Sequence, residues 1–500
     1  MRLLSEVYQY TEAAQNADEP DVELADLRSD SRSCGKGDVY VPMRGNRFDG
    51  FDFIKQAQDA GAAAVLAVSV YPTAQQLQGV TIPVLTLPAS KKLADFACWF
   101  YRDPSKRLRL IGVTGTNGKS TTTWIIAQLL TALGHKCGVL GTLGNGFLPK
   151  LEHTTNTTLA ALDLQRTLSH MSDEKAEYAA MEVSSIGICE GRIDGVTFAA
   201  RAFTNLTRDH LDYHHTIENY YSAKKQLFLG KNAVCAVNIA DPYGRRLSGE
   251  LEDRSGMIAW SARSDAQAAA YGAYLQLSDI SYEKDGLRFK AKTASEEETL
   301  SSALLGGFNA ENLACALAVL VKLGFSLKQL APLLPKVRPV TGRMERFQGE
   351  GKPALIVDYA HTPDGVEQVL RAAREHHPRG LVWVVLGCGG DRDTGKRPIM
   401  AIKASVFADR AVFTSDNPRS EDPDAILRDM ASGVAQADNC VFITDRRKAI
   451  EYAFEHAAPE DCIVIAGKGH EDYQIFKDRT IHFSDREIAA QLAGVKLDKF

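Results

Sequence analysis

Residues 108–133 constrain the fold more than any other stretch of the chain. An apolar run over 108–113 reads as a buried strand. Gly115-Thr116-Asn117-Gly118-Lys119-Ser120 follows as a glycine-rich turn, and a helix is expected to run to about Leu133, where Gly134 stops it. A strand that feeds directly into such a turn and helix opens a parallel βαβ unit, which needs helices on the sheet faces. The turn also suits phosphate. Its glycines let backbone N–H groups point inward, the helix N-terminus adds positive dipole, Lys119 supplies a point charge, and Ser120 can set its hydroxyl on a magnesium ion. Gly112 and Gly118 are separated by five residues, one more than the strict P-loop pattern, so the reading rests on strand, loop and helix in order. The competing reading is a glycine turn that merely starts a helix.

A chain of 500 residues exceeds what one hydrophobic core serves, and the pattern divides into three. Residues 1–103 alternate short β-like runs with helical stretches, a smaller N-terminal α/β domain. Residues 104–336 form a central parallel-sheet P-loop domain, with an antiparallel excursion at 276–304. Residues 337–500 alternate strands at 354–358, 381–386, 410–415, 440–444 and 462–466 with helices at 363–376 and 446–456, a doubly wound Rossmann-like domain. The expected class is therefore α/β with three domains. A net charge of −5 offers no basic stripe for nucleic acid. No apolar run is long enough to span a bilayer, and the start turns polar too soon for a signal peptide. Nine scattered cysteines with no CxxC pair fit reduced thiols in a cytoplasm.

Ligands on open α/β sheets sit at the carboxyl ends of the strands. Three more strands of the central block end in polar groups: Glu182 after 178–181, Thr207-Arg208-Asp209-His210-Leu211-Asp212 after 198–206, and Asn238 with Asp241 after 233–237. Glu182 suits magnesium, which prefers oxygen ligands and keeps several waters. His210 is a less usual ligand; taken alone, a strand-end histidine is more often structural, and Asp209 and Asp212 read equally well as helix caps.

These residues, with Met181-Glu182-Val183-Ser184-Ser185, Gly307-Phe308-Asn309, Gly342-Arg343-Met344-Glu345 and Asp358-Tyr359-Ala360-His361-Thr362-Pro363, resemble the Mur ligases, in the family's order and across all three blocks. The resemblance implies UDP-, ATP- and amino-acid-binding domains in an ATP-dependent amide-forming ligase of peptidoglycan precursor synthesis, acting as a cytoplasmic monomer. It assigns Asn309, Arg343 and Asp358 to the nucleotide, with Gly115, Thr116, Asn117, Gly118, Lys119 and Ser120. It implies Mg2+ held by Ser120, Glu182, His210 and a carbamylated Lys224, and makes Lys119, His210 and Lys224 the catalytic set. Spacing alone leaves Lys224, on the amphipathic stretch 217–229, as a solvated side chain. Ser31, Asn46, Thr157, Thr158, Ser184 and Arg192 match contacts to the UDP-N-acetylmuramoyl-dipeptide. Ile186 and Glu190 depart from the family, where histidine and glutamine are common.

The C-terminal block decides the amino acid. Asp416-Asn417-Pro418-Arg419 ends the strand 410–415 and resembles the sequence of diaminopimelate-adding members; lysine-adding members lack the arginine. meso-Diaminopimelate carries a far carboxylate that lysine does not, and Arg419 can grip it with a bidentate fork. Asp416 and Asn417 can accept from its ammonium, Arg392 faces the near carboxylate, and Gly467 with Glu471 the far ammonium. Asp416-Asn417-Pro418 also reads as a helix-initiating turn. The implied chemistry is attack of the glutamate side-chain carboxylate on the ATP γ-phosphate, then of the amine on the acyl phosphate, with closure of the C-terminal domain before chemistry. Rival readings are a lysine-adding Mur ligase, a folylpolyglutamate-synthetase-like ligase and a non-catalytic UDP-muramyl-peptide sensor.

Overall fold

The computed structural model describes residues 2–15, 20–45, 48–230, 233–434 and 438–497. It resolves into two compact units, Met1–Ile258 and Ala259–Phe500.

The first unit begins with a parallel four-stranded sheet, Leu27–Arg28, Val39–Tyr40, Ala64–Val68 and Val84–Leu87, in sequence order. Both of its faces are covered, so its strands are apolar on both sides. Leu66, Leu85 and Leu87 pack on one face with Phe96 and Phe100, while Tyr40, Val65 and Ala67 pack on the other with Phe51 and Ile54. A second parallel sheet follows. Its strands lie in the order Cys137–Gly141, Tyr178–Glu182, Arg109–Thr114, Ala200–Phe203, Val234–Asn238. The chain first winds to one side of Arg109–Thr114 and then to the other. That reversal opens a crevice at the carboxyl end of the strand, where such sheets bind ligands. The glycine-rich turn occupies it.

The second unit contains an antiparallel ribbon of Tyr274–Glu283, Gly286–Lys292 and Glu297–Ser302, where the sequence pattern expects one. Helix Gly307–Lys322 is buried along most of its length. The last sheet runs Glu345–Phe347, Ala354–Asp358, Cys462–Ala466, Val382–Cys388, Arg410–Ser415, Cys440–Phe442, parallel except for the first strand. Its last strand in sequence, Cys462–Ala466, lies between the first two parallel strands, so residues far apart in sequence end side by side at its carboxyl edge.

The regular elements match the sequence pattern closely. Helices Pro363–His376 and Arg446–His456 have the expected bounds, capped by Thr362 and Asp445, whose side chains accept from Gly365 N and Lys448 N. Some strands are shorter than expected, as at Ala200–Phe203 and Cys440–Phe442, and two segments differ in kind. Helix Ile217–Lys225 passes into a 3-10 turn, Gln226–Phe228, instead of continuing. Asp103-Pro104 does not simply break the chain: Pro104 starts the short helix Pro104–Arg107, because its fixed φ and missing N–H suit a first helical turn.

Candidate active site

The glycine-rich turn is held from behind by the neighbouring strand end. Thr116 N donates to Asn205 O at 2.9 Å, Asn117 N to Asn205 Oδ1 at 2.9 Å, and Thr204 Oγ1 to Asn117 O at 2.6 Å. Gly115 has φ +154, and a Cβ there would lie 1.9 Å from Thr204 Oγ1, so no other residue fits. Helix Lys119–Ala132 then starts from Gly118 with no side-chain cap, leaving its first amides to a ligand.

Two lysines converge on this turn. Lys119 Nζ donates to Gly115 O at 2.9 Å and Thr116 O at 2.8 Å. Lys224 Nζ donates to the same Gly115 oxygen at 2.9 Å. The sequence expectation of a solvated Lys224 is wrong: the residue is only 1% exposed. Its helix turns that face inward, with Tyr220 and Ala223 buried beside it. Burial, reinforced by the Lys119 charge and opposed by Asp209, drives the Lys224 amine well below the ordinary lysine pKa. A buried amine that sheds its proton is nucleophilic.

Glu182 is also buried. Burial raises its pKa, opposed by Lys119 and by hydrogen bonds from Thr142 and Ser120. Thr142 N donates to Glu182 Oε1 at 2.9 Å, and Thr142 Oγ1 lies 3.0 Å from Thr157 Oγ1. Gly141 makes room, since a Cβ there would meet Glu182 Oε1 at 2.2 Å. Thr142 was missed in the sequence, although the strand-end rule points to it. His210 sits at φ +50 with its ring partly exposed and Nε2 3.5 Å from Asp209 Oδ2. It precedes the short helix Leu211–His214 and forms no side-chain cap. Buried His214, also missed, has Nε2 2.9 Å from Ser185 Oγ. Burial, then the His210 and Lys224 charges, lowers its pKa.

The third polar strand end is structural. Asp241 caps helix Pro242–Glu250, accepting from Tyr243 N and Gly244 N, and Asn238 Nδ2 donates to Thr204 O at 2.7 Å. These bonds fasten the strand end and leave little for phosphate.

Thr158, Ser184 and Arg192 form one network. Ser184 N donates to Thr158 Oγ1 at 2.9 Å, Thr158 Oγ1 lies 3.1 Å from Ser184 Oγ, and Arg192 Nη1 donates to Thr158 O at 2.6 Å. Glu190 is accounted for: it receives Arg192 Nε at 2.7 Å. Ser31 is buried, its Oγ donating to Gln56 Oε1 at 2.8 Å. Asn46 lies outside the described residues.

Within the second unit, Asp358 accepts from Met344 N and Ala360 N, both at 2.8 Å. Burial raises its pKa against the pull of Arg343, whose guanidinium lies 4.9 Å from the Tyr359 ring centre. Asn309 is buried, donating to Leu305 O at 2.7 Å and accepting from Asn312 Nδ2 at 2.9 Å. The Arg343 turn touches the 467–470 loop backbone to backbone. A Cβ on Gly342, at φ +68, would stand 2.2 Å from Gly469 C, and one on Gly469, at φ +53, 2.7 Å from Tyr359 Cβ.

The carboxyl ends of Arg410–Ser415 and Cys462–Ala466 bring Asp416-Asn417-Pro418-Arg419 against Gly467-Lys468-Gly469-His470-Glu471. Asp416 Oδ2 is close enough to Gly467 that a Cβ there would lie 2.7 Å away. Asn417 Nδ2 donates to Glu471 Oε2 at 2.9 Å. Its Oδ1 is already taken by Lys468 Nζ at 3.1 Å and Ile475 N at 3.0 Å. The expectation that Asn417 itself accepts from a ligand ammonium is therefore corrected: its oxygen is engaged inside the protein. Arg419 sits at φ +53, donates from Nη1 to Gly390 O at 2.8 Å, and keeps other guanidinium N–H groups for a ligand. Arg392 is exposed. Beneath both strand ends lies a fully buried ion pair. Arg446 Nε and Nη2 bond Asp485 Oδ1 and Oδ2 at 2.8 and 2.7 Å, and Arg446 also donates to Ser415 O and Ala466 O.

Three family models match: Mur ligase family, catalytic domain, over residues 24–97; Mur ligase middle domain over 113–320; and Mur ligase, glutamate ligase domain, over 342–469. A UDP-N-acetylmuramoyl-L-alanyl-D-glutamate–2,6-diaminopimelate ligase of Vibrio parahaemolyticus is 44% identical over 94% of this chain and 95% of its own. The Vibrio cholerae protein of the same name is 44% identical over 94% of each chain. A solved structure bearing that name aligns with TM-score 0.71 and 33% identity over 97% of this chain and 98% of its own. A folylpolyglutamate synthase of Thermotoga maritima shares the fold at TM-score 0.58 and 16% identity, over 75% of this chain and 91% of its own. The family models cover most of the sequence and the relatives nearly all of it: the chain belongs to the Mur ligase family.

Proposed function

We propose that this enzyme adds meso-2,6-diaminopimelate to UDP-N-acetylmuramoyl-L-alanyl-D-glutamate, consuming ATP, in the synthesis of peptidoglycan precursors. The observation that carries this reading is the Asp416–Arg419 loop packed against Gly467–Glu471, bringing charged groups of both signs together, in a chain 44% identical over 94% of its length to a diaminopimelate-adding ligase. Arg419 selects the far carboxylate that lysine lacks, and Asp416 and Glu471 receive the ammonium beside it. A lysine ligand would leave Arg419 unpaired, at a cost of roughly 3 kcal/mol.

In the mechanism, the turn amides and Lys119 hold the triphosphate, and Thr158, Ser184 and Arg192 hold the muramoyl-dipeptide. The glutamate side-chain carboxylate takes the γ-phosphoryl group of ATP, forming a C–O–P linkage and releasing ADP. The free amine of diaminopimelate then attacks the acyl carbon; the C–N bond forms, the amine gives up a proton and phosphate leaves. No protein nucleophile is required, and catalysis is positioning with charge stabilisation. Asn309, Arg343 and Asp358 serve the nucleotide, Arg343 at its phosphate and Asp358 at the ribose hydroxyls.

Among the described residues, no three His, Cys, Asp or Glu side chains group to hold a metal by themselves. That suits Mg2+, which takes few protein ligands alongside waters and substrate phosphates. Ser120 and Glu182 fit it as neighbouring oxygen donors, the latter a buried carboxylate in want of a cation; His210 and Lys224 complete the proposed set. Magnesium, when bound, would neutralise developing phosphate charge. Burial disfavours the charged form of the Lys224 amine, which suits it to take up CO2 as a carbamate with loss of a proton, and the carbamate charge would offset Lys119. Among the described residues no helix is long and apolar enough to cross a membrane, and all nine cysteines are free. Action as a cytoplasmic monomer, with domains at 1–103, 104–336 and 337–500, belongs to the same proposal.

Phosphate release with the UDP-dipeptide is expected with meso-diaminopimelate and not with L-lysine or glutamate. Activity with lysine alone would reverse the assignment, and ADP release without any amino acid would favour a different reaction.

A further inference from the structure

Lys468 has no part in the mechanism above, yet its side chain is 0% exposed. Desolvating an ammonium costs several kcal/mol unless its partners are well placed. Here the partners are Asn417 Oδ1 at 3.1 Å and Glu471 Oε2 at 3.3 Å, with the Tyr473 ring centre 5.6 Å away. Asn417 Nδ2 closes the triangle by donating to the same Glu471 oxygen at 2.9 Å.

This arrangement fixes two things. The Asn417 amide has one orientation, because a flip would set its NH2 group against the Lys468 ammonium and the Ile475 N–H. Glu471 is rotationally pinned through Oε2, so Oε1 is the oxygen that a ligand ammonium meets. The Glu471 carboxylate is also met by a cation and an amide donor within the protein itself, at Lys468 Nζ and Asn417 Nδ2. The hairpin Tyr473–Ile475 and Thr480–His482 is stapled to the same triangle: Ile475 N donates to Asn417 Oδ1, Ile475 O accepts from Arg419 N at 3.0 Å, and Gln474 Nε2 donates to Asp416 O at 2.7 Å.

We propose that Lys468 is the positioning residue of the amino-acid pocket, acting on the incoming diamino acid through Asn417 and Glu471 without touching it. The proposal rests on the assignment of this pocket to diaminopimelate. It differs from a stabilising role in what it moves: the amino-acid KM should change while those for ATP and the UDP-dipeptide do not.

The test is a double-mutant cycle on the full-length enzyme with meso-diaminopimelate as the varied substrate. Lys468→Met should raise its KM about tenfold or more, as expected for a lost charged hydrogen bond, and Lys468→Arg should recover part of that loss. Glu471→Gln should raise the KM at least as far. The double variant should then be no worse than Glu471→Gln to within about twofold, since coupled residues are not additive. Multiplying effects, or an equal rise in the ATP KM, would overturn the proposal. Should Lys468→Met fail to fold, Lys468→Gln, which keeps a donor without the charge, enters the same cycle. A wild-type enzyme that ignores meso-diaminopimelate would refute the functional reading itself, whereas a wild type that uses it and a Lys468→Met variant with unchanged KM would refute only this inference.

Discussion

The glycine turn and the proposed amino-acid site solve opposite problems. In the turn, two lysines crowd one carbonyl oxygen, that of Gly115, and the helix behind it starts uncapped. Both lysines donate to main-chain oxygen there, with the Glu182 and Asp209 carboxylates acting on them from nearby. In the pocket, Lys468, Asn417 and Glu471 satisfy one another, and Arg446 with Asp485 braces the strands below. The first site offers uncapped helix amides and two lysines to an anion. The second is complete beforehand and exposes only selected atoms. Catalysis of phosphoryl transfer needs the former, because charge develops during the reaction. Discrimination between similar diamines needs the latter, because selectivity comes from groups that cannot rearrange to accept the wrong ligand.

Four experiments break or sharpen this contrast. Lys119→Ala removes charge where it is least replaceable, and should lower kcat about 10³-fold or more, the scale of other cationic groups at transferring phosphates; a loss confined to KM would mean the turn only binds. Arg446→Met strikes the braced side. Asp485 would be left buried and unpaired, costing about 3–5 kcal/mol of stability, read by denaturant unfolding. An effect below about 1 kcal/mol would show the brace is unnecessary.

Arg419→Lys keeps the charge but loses the fork. The meso-diaminopimelate KM should rise about tenfold, with that for ATP unmoved. The smallest effect is on pH. Burial, with Arg346 and His376 nearby, lowers His377 to about 4 from its ordinary 6.5. The unfolded chain therefore binds the extra proton first, so this group's contribution to stability is lost as pH falls from about 6.5 to about 4. His377→Asn should flatten the melting temperature over that window. An unchanged slope would show that other groups set the acid sensitivity.

The sequence disclosed the two sites unequally. The glycine turn was legible because its chemistry is local: strand, glycines, lysine and helix are contiguous. Glu182 was found by its place at a strand end. Lys224 looked solvated because amphipathicity does not say which neighbour covers a face, and only the packing of Ile217–Lys225 against the turn reveals its burial. Asp241 and Asn238 satisfied the same strand-end rule yet serve as cap and fastener, since the rule locates an edge without saying which groups there are already bonded. Lys468 stood in a motif from which the sequence reading took Glu471 alone. Its proposed role was hidden because its partner Asn417 lies 51 positions away, brought alongside by a strand late in sequence that lies between earlier ones.

The contact between Gly342 and Gly469 carries a consequence for the history of the chain. Each residue occupies a backbone conformation that disfavours side chains, and each would strike main-chain or Cβ atoms if it acquired one. Neither collision is relieved by changing the other residue. Drift at these positions cannot proceed by paired compensation, so this small joint should persist unaltered in descendants whose surrounding loops have diverged freely.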